Sequence, residues 1–359
     1  MEPEPLHSLR VMAWPATSNR AVNPYNALLY EGKAPFGIEI VEYGLLRCLR
    51  GPADILHVHW PDSYVNNKRL WKSLQRIIVL GLVVIASRFW GTKLIWTVHN
   101  LEPHDAYHPA LAGRFMQWFA RRCDGLIFLS NASRQDFLAR HGERAGIPFA
   151  IIPHGHYRAV HGEPMDRPAA RERLGLSGSG RLLLMFGMLK PYKNAARLIE
   201  AFRPLANGDV DLIIAGAPAS PAYAAQLKSF AADMPNVRLI TGFIPDRDVA
   251  TYFSAADLVV LPYRKVLNSG AALLALSFDR PLLAPRLGSF EELQAGVGAE
   301  WVHLYDDPEI TTPVIEACLR RVGGKERDKC DLTSYEWNDI SRETFSFYKT
   351  VAQDRRREL

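Results

Sequence analysis

Cysteine is scarce in this chain. The 359 residues hold four, Cys48, Cys123, Cys318 and Cys330, far apart and never as Cys-x-x-Cys. That excludes a disulfide framework or a zinc module and fits a reducing compartment. No stretch reaches the ~18 consecutive apolar residues that span a bilayer. The opening MEPEPLHSLRVMAW sets acids and prolines where a signal peptide sets basic residues before an apolar run, so no signal peptide is expected. Neither charge dominates: 43 Lys+Arg stand against 38 Asp+Glu, a net +5. The mild excess suits an anionic substrate or an anionic membrane surface. Nucleic acid is not expected as a partner, because there is no RNP-like strand, no paired Cys/His and no basic run beyond Arg355-Arg356-Arg357. A composition 48% hydrophobic and 23% charged is that of a globular protein, which excludes a coiled coil or a collagenous repeat.

What is present is an alternation of short apolar strands with helical stretches, the signature of α/β layering. In the first half, strands are expected at Arg10–Trp14, Ile55–His59, Leu94–His99, Gly125–Ser130 and Phe149–Pro153. A linker follows over Arg158–Arg181, rich in Gly and Pro and ending in Ser-Gly-Ser-Gly at 177–180. The rhythm then restarts, with strands at Leu182–Phe186, Leu212–Ala215, Arg238–Thr241, Leu258–Pro262 and Pro281–Pro285. Helices fit Ala195–Leu205, Pro221–Asp233, Arg247–Ala255 and Ser269–Phe278. The expected fold class is α/β, two doubly wound Rossmann-like domains facing a cleft. The domains would cover 1–160 and 161–335, with 336–359 as a closing helix. Ligands of such sheets bind beyond the carboxyl ends of the strands.

Between Lys68 and Arg88 the run Ile77–Ala86 is ten apolar residues, too short to span. Lys68, Arg69, Lys72 and Arg76 precede it, and Trp71 and Trp90 flank it. That mixture suits a helix lying in a membrane interface with its cations toward lipid phosphates; a buried core helix with a basic first turn is the alternative.

Two loops in the second half carry the chemistry. Gly187-Met188-Leu189-Lys190-Pro191-Tyr192-Lys193-Asn194 joins a strand to a helix, and two lysines there can pair with phosphates beside free helical N–H groups. In Pro262-Tyr263-Arg264-Lys265-Val266-Leu267-Asn268-Ser269-Gly270-Ala271, Asn268 or Ser269 caps a helix, and Gly270 lets a ligand approach the backbone. Together they point to a diphosphate site. The segment Gly242-Phe243-Ile244 is placed to receive a base, and Glu291 or Glu292 to accept from ribose or sugar hydroxyls. No Asp-x-Asp pair ends a strand, so no metal is expected; Asp306-Asp307 reads as a solvated loop.

The order Phe186-Gly187, Lys193, Gly216, Gly242-Phe243-Ile244-Pro245, Ala256-Asp257-Leu258, Pro262-Tyr263, Ser269-Gly270 and Arg280-Pro281 resembles the donor domain of a GT-B nucleotide-sugar glycosyltransferase. Ile152-Pro153-His154-Gly155 and the stretch from Tyr335 to Ile340 extend the resemblance over nearly the whole chain. Retaining family 4 enzymes carry two glutamates eight positions apart in the second loop; the matching positions here are about Val266 and Leu274. The chain is more similar to inverting bacterial exopolysaccharide enzymes, the family 94 β-1,4-mannosyltransferases. That resemblance implies mannose moved from GDP-mannose onto a polyprenyl-diphosphate-linked oligosaccharide at the cytoplasmic face of the inner membrane, by a peripheral (monotopic) enzyme without a cofactor. The nucleotide-diphosphate sugar is then a substrate. A retaining transferase, a nucleotide-sugar epimerase or a non-catalytic GT-B subunit are the rival implications.

An inverting transfer needs a general base on the acceptor side, and two strand ends supply candidates: His57-Val58-His59-Trp60-Pro61-Asp62 and the stretch from Thr97 to Asp105. His99-Asn100-Leu101-Glu102-Pro103-His104-Asp105 packs two histidines and two carboxylates just past a buried strand. The His-Asn, Pro-His-acid arrangement resembles the inverting relatives and nominates Asp105 as base. Glu102 and His99 are alternatives, and His104 would orient the carboxylate. His57 and His59 are read as facing opposite sides of their strand, Trp60 as a stacking surface for a sugar, and Asn23 and Tyr25 as acceptor contacts.

Overall fold

The computed structural model describes residues 8–32, 36–50, 53–103, 105–143, 146–176, 180–206, 209–323 and 328–353. These form two compact units, one from Met1–Gly155 with Tyr335–Leu359 and the other His156–Ser334. His104, the Ser-Gly-Ser stretch 177–179 and the basic tail 355–357 lie outside the described residues.

The first unit is built on a parallel sheet of β1 (Leu9–Trp14), β2 (Ile38–Glu42), β3 (Ile55–Val58), β4 (Lys93–Val98), β5 (Gly125–Phe128) and β6 (Phe149–Ile151), ordered β2-β1-β3-β4-β5-β6. Chain order reverses between β1 and β3, so the crevice of this sheet opens at their carboxyl ends. Strand β2 was not expected from sequence: its Ile-Glu-Ile-Val-Glu lies at the sheet edge and is only partly buried. The helix Trp337–Gln353 returns to this unit and puts Ile340, Phe345, Phe347, Tyr348 and Val351 into the core with Val11, Ile55, Ile95 and Ile127.

The second unit has β7 (Arg181–Phe186), β8 (Val210–Gly216), β9 (Val237–Thr241), β10 (Leu258–Val260), β11 (Leu282–Pro285) and β12 (Val302–Tyr305), all parallel and ordered β12-β11-β10-β7-β8-β9. Its reversal lies between β7 and β10. Leu182–Met185 are fully buried, as a strand covered on both faces requires. Part of the expected linker belongs here: the helix Arg167–Arg173 carries Arg171, a buried guanidinium that donates to the Ala255 carbonyl and, at 2.6 Å, to Asp257.

The basic-apolar segment is one helix, Leu70–Phe89, of 20 residues. At 1.5 Å per residue it is about 30 Å long, and by length and composition it is long and apolar enough to cross a membrane. The ten-residue run understates it, because Leu70, Trp71, Leu74 and Phe89 extend its apolar face. Ser73, Leu80, Val83, Val84 and Ser87 are buried against the unit, whereas Trp71, Leu74, Ile78, Leu82, Ile85 and Phe89 form an exposed stripe at helical spacing.

Candidate active site

In the second unit the sequence motifs fall on the loops after β7 and β10, the two strands that flank the reversal in chain order. Glycines shape this corner. Gly187 ends β7 at φ +103°, and a Cβ on Gly216 would stand 2.0 Å from the Gly187 carbonyl oxygen. The close approach lets the Leu189 N–H donate to the Ala217 carbonyl at 2.8 Å and the Gly242 N–H to the Gly216 carbonyl at 3.2 Å. Gly187, Gly216 and Gly242 therefore meet at the carboxyl end of the sheet. Phe243 follows, 72% exposed.

Pro191–Lys193 make a single tight turn, and Asn194, at φ +64°, starts the helix Ala195–Phe202. The Lys193 ammonium lies 5.3 Å from the Tyr263 ring centroid, a cation–π distance. Burial pushes its pKa below the ordinary lysine value; a bound anion would reverse that cost. Tyr263 is buried, and Ser269 is the polar neighbour that tempers the rise burial gives its pKa. Ser269 caps the helix Gly270–Ser277, its Oγ accepting from the Ala272 N–H at 3.3 Å. Gly288 brings the next loop in, since a Cβ there would stand 2.4 Å from the Val266 carbonyl oxygen. Lys193, Tyr263, Ser269 and Gly270 thus form one corner, with Asn268 and Ala271 in its second loop. Lys190 accepts the Lys193 N–H through its backbone carbonyl. Glu291 and Glu292 open the helix Phe290–Val297, and Glu291 lies 3.9 Å from Arg286. Arg264 is engaged elsewhere, at 2.6 Å from Glu309. Asp306 and Asp307 are exposed.

In the first unit, imidazoles and phenols gather beneath the ends of β3 and β4. The Tyr30 hydroxyl stands 3.0 Å from His57 Nδ1 and 2.8 Å from His59 Nε2. His57 Nδ1 also reaches the Tyr348 hydroxyl at 2.6 Å, and its Nε2 reaches Thr97 Oγ1 at 2.8 Å. His59 Nδ1 lies 3.2 Å from His99 Nε2, and Trp60 stacks on His99 at 4.4 Å. His57 and His59 share one side, their rings 4.1 Å apart, against the expectation of opposite faces. The reason is elementary: a strand has period 2, so residues i and i+2 point the same way. Burial lowers the pKa of His57 to about 3 and His154 to about 4, and pushes His59 and His99 well below the usual value.

The acids differ sharply. Asp105 is exposed, and its backbone carbonyl accepts from Asn66 Nδ2 at 3.0 Å. Glu102 is ion-paired to Arg140. Asp62, which closes the other candidate strand end, is buried in the first turn of the short helix Pro61–Val65 that follows β3; it accepts from Asn100 Nδ2 and Ser63 Oγ, both at 3.3 Å. Burial, only partly offset by those bonds, raises its carboxyl pKa to about 6. The signal for it was the acid two residues past His59-Trp60, at a strand end. Tyr25 is no exposed acceptor contact: it is buried, with its ring edge-on to His59, His99 and Trp337. The Asn23 side chain accepts the Tyr25 N–H. Among the described residues, no three His, Cys, Asp or Glu side chains gather as metal ligands would.

Residues 180–320, the span that holds both loops of the second unit's corner, match the family model described as glycosyl transferases group 1. The chain is a glycosyltransferase. It is 29% identical, over 92% of its length and 89% of the relative's, to the GDP-mannose:glycolipid 4-beta-D-mannosyltransferase of Xanthomonas campestris pv. campestris. Among solved structures, a glycosyltransferase from Rickettsia africae aligns with a TM-score of 0.65 at 14% identity, covering 95% of this chain and 98% of that one. Anabaena HepE in complex with UDP-glucose aligns with a TM-score of 0.62 at 17% identity, covering 96% and 98%. These likenesses bear out the two-sheet GT-B fold expected from sequence. In this glycosyltransferase the positions matching the paired glutamates of retaining family 4 enzymes hold a half-buried Val266 and a buried Leu274, so neither offers a carboxylate.

Proposed function

We propose that this glycosyltransferase moves mannose from GDP-mannose, with inversion and without a metal or cofactor, onto a polyprenyl-diphosphate-linked oligosaccharide in exopolysaccharide assembly. The observation that carries this reading is the likeness to the GDP-mannose:glycolipid 4-beta-D-mannosyltransferase across 92% of the chain. Charge supplies the chemistry. As the glycosidic bond breaks, negative charge grows on the leaving β-phosphate. Lys193, Lys190 and the N–H groups at Ser269–Ala271 stabilise it as preorganised donors. Gly242–Ile244 receive the base, and Glu291 or Glu292 the ribose or sugar hydroxyls. The acceptor hydroxyl loses its proton to Asp105 as it attacks the far face of the anomeric carbon. Glu102 suits that task less well, because Arg140 occupies its carboxylate.

The Leu70–Phe89 helix supports a peripheral attachment at the cytoplasmic face of the inner membrane. One side of the helix packs on its own unit, so it cannot be ringed by lipid. The opposite stripe, with Lys68, Arg69, Lys72 and Arg76 at one end, fits an anionic lipid surface.

The test incubates the full chain with a panel of GDP- and UDP-sugars and a short-chain polyprenyl-diphosphate glycan, and reads nucleotide release and product anomer. GDP-mannose alone should support transfer, with a β product. Lys193→Ala should raise the GDP dissociation constant about tenfold or more. Asp105→Ala should abolish transfer while GDP binding persists. An α product, or unchanged GDP affinity in Lys193→Ala, would overturn the reading.

A further inference from the structure

We propose that the open groove beside the helix Leu45–Arg50 seats the diphosphate of the lipid-linked acceptor, with Arg47 and Arg50 gripping the phosphates and Leu45 and Leu46 meeting the first prenyl units. This rests on the proposed lipid-linked acceptor and gives it a place apart from both the Lys193 corner and the histidine cluster.

The groove encloses about 780 Å³, and Glu42, Tyr43, Leu45, Leu46, Arg47 and Arg50 line it. Glu42 is the last residue of β2, and β2 pairs with β1, so the groove opens at the carboxyl edge of the sheet, one strand from the β1/β3 reversal. Its back wall is stiff. Tyr43 stacks on Trp14, the last residue of β1, with ring centroids 3.7 Å apart and planes 3° from parallel. The helix Leu45–Arg50 buries Cys48 and packs against the helix Leu70–Phe89. A lipid chain lying along that second helix therefore reaches the groove without leaving the protein surface.

Charge selects an anion. Glu42 is the only acid among the described residues that line the groove, and its carboxylate is already engaged. It accepts from the Ala16, Thr17 and Ser18 N–H groups, each at 3.0 Å, and from Ser18 Oγ at 3.1 Å. Those four donors offset its charge. Arg47 and Arg50 are exposed, and residues three apart are neighbours on a helix surface. Arg47 gives one N–H to the Glu42 carbonyl at 2.9 Å, which anchors its fork at the groove wall and leaves the other donors for a ligand. Two adjacent guanidinium forks match two linked phosphates. Leu45 and Leu46 expose 41% and 63% of their surface beside these cations, so the occupant is apolar as well as anionic. Shape separates it from bulk phospholipid. A plane of headgroups meets an outward stripe such as that of Leu70–Phe89, whereas a concave site takes a ligand that rises out of the plane. A prenyl diphosphate does so, because its outer phosphate carries the glycan into water.

Calorimetric titrations of the full chain in detergent test this, with geranylgeranyl diphosphate and uncharged geranylgeraniol as probes. The parent should bind the diphosphate about tenfold or more tightly than the alcohol. Arg47→Ala with Arg50→Ala should bring the diphosphate down to the affinity of the alcohol and leave the GDP dissociation constant where it was. Lysine at both positions, which keeps the charge, should recover most of the loss and so separate recognition from misfolding. Leu45→Ser with Leu46→Ser should weaken both probes. Parent-like diphosphate affinity in the alanine pair, or an equal loss for diphosphate and alcohol, overturns the proposal. So does an alanine pair that keeps the diphosphate but loses phosphatidylglycerol vesicles, since the arginines would then serve the bulk lipid surface. Diphosphate bound in the groove with no transfer from GDP-mannose to a polyprenyl-diphosphate glycan would uphold the groove and remove the proposed reaction.

Discussion

Replacing Ile78, Leu82 and Ile85 together by serine should detach the protein from anionic vesicles without unfolding it. The three side chains expose 60%, 56% and 61% of their surface on one stripe of the Leu70–Phe89 helix. Fully burying such a side chain is worth about 1.5–3 kcal/mol, so lipid that completes the burial of each contributes roughly 1–1.5 kcal/mol. The triple variant then loses about 3–4 kcal/mol of binding. That is two to three orders of magnitude in partition coefficient, at about 1.4 kcal/mol per tenfold. Co-sedimentation with phosphatidylglycerol-containing vesicles at low and high salt measures it. Salt should weaken the remaining attraction of Lys68, Arg69, Lys72 and Arg76, at roughly 1 kcal/mol per cation near the surface. Thermal unfolding should be unchanged, since none of the three residues faces the core. Vesicle binding within threefold of the parent would refute the reasoning and leave the stripe without a lipid role.

Other outcomes follow from burial. His57, His59, His99 and His154 all have depressed pKa values in the folded state, so the unfolded chain binds more protons as pH falls below about 6.5. Stability should be full above that pH and fall steeply toward pH 4, with denaturant titrations reporting uptake of several protons; a flat profile from pH 7 to 4.5 would contradict it. Asp62 works the other way. Its carboxyl is raised to about 6, so stability is lost as pH climbs through that value. Asp62→Asn should stabilise by about 3 kcal/mol at pH 7 and by little at pH 4, given 1.36 kcal/mol per pKa unit, and equal urea midpoints at pH 7 would sink it. Gly216→Ala should sharply weaken GDP binding, because its Cβ would stand 2.0 Å from the Gly187 oxygen and the β7 loop must move. Calorimetric titration with GDP tests that, and wild-type affinity would argue against the corner's geometry.

The central strands were legible because strands buried on both faces are nearly continuous apolar runs, as in Leu182–Met185. The edges were not. Strands β2 and β12 lie at sheet edges and mix polar with apolar residues, and Ile-Glu-Ile-Val-Glu or Val-His-Leu-Tyr carries little strand signal alone. The second unit's corner was readable because its parts are consecutive in sequence: Gly187 to Lys193 and Tyr263 to Ala271 each occupy one loop. The first unit's network was not, because Tyr30 and Tyr348 join His57 from 27 and 291 residues away. Asp62 stood within a candidate strand end but carried no role of its own, because a lone acid declares nothing until its burial is known.

The helix Trp337–Gln353 completes the sheet unit that the chain begins. A Cβ on Gly155 would stand 2.3 Å from the Trp337 indole, so that residue is cut to fit a partner made some 180 positions later. During synthesis the amino-terminal half therefore emerges with an open seam, and the middle unit, His156–Ser334, is the first that can finish folding. A released fragment ending before residue 336 should be protease-sensitive in its first 155 residues and resistant beyond them.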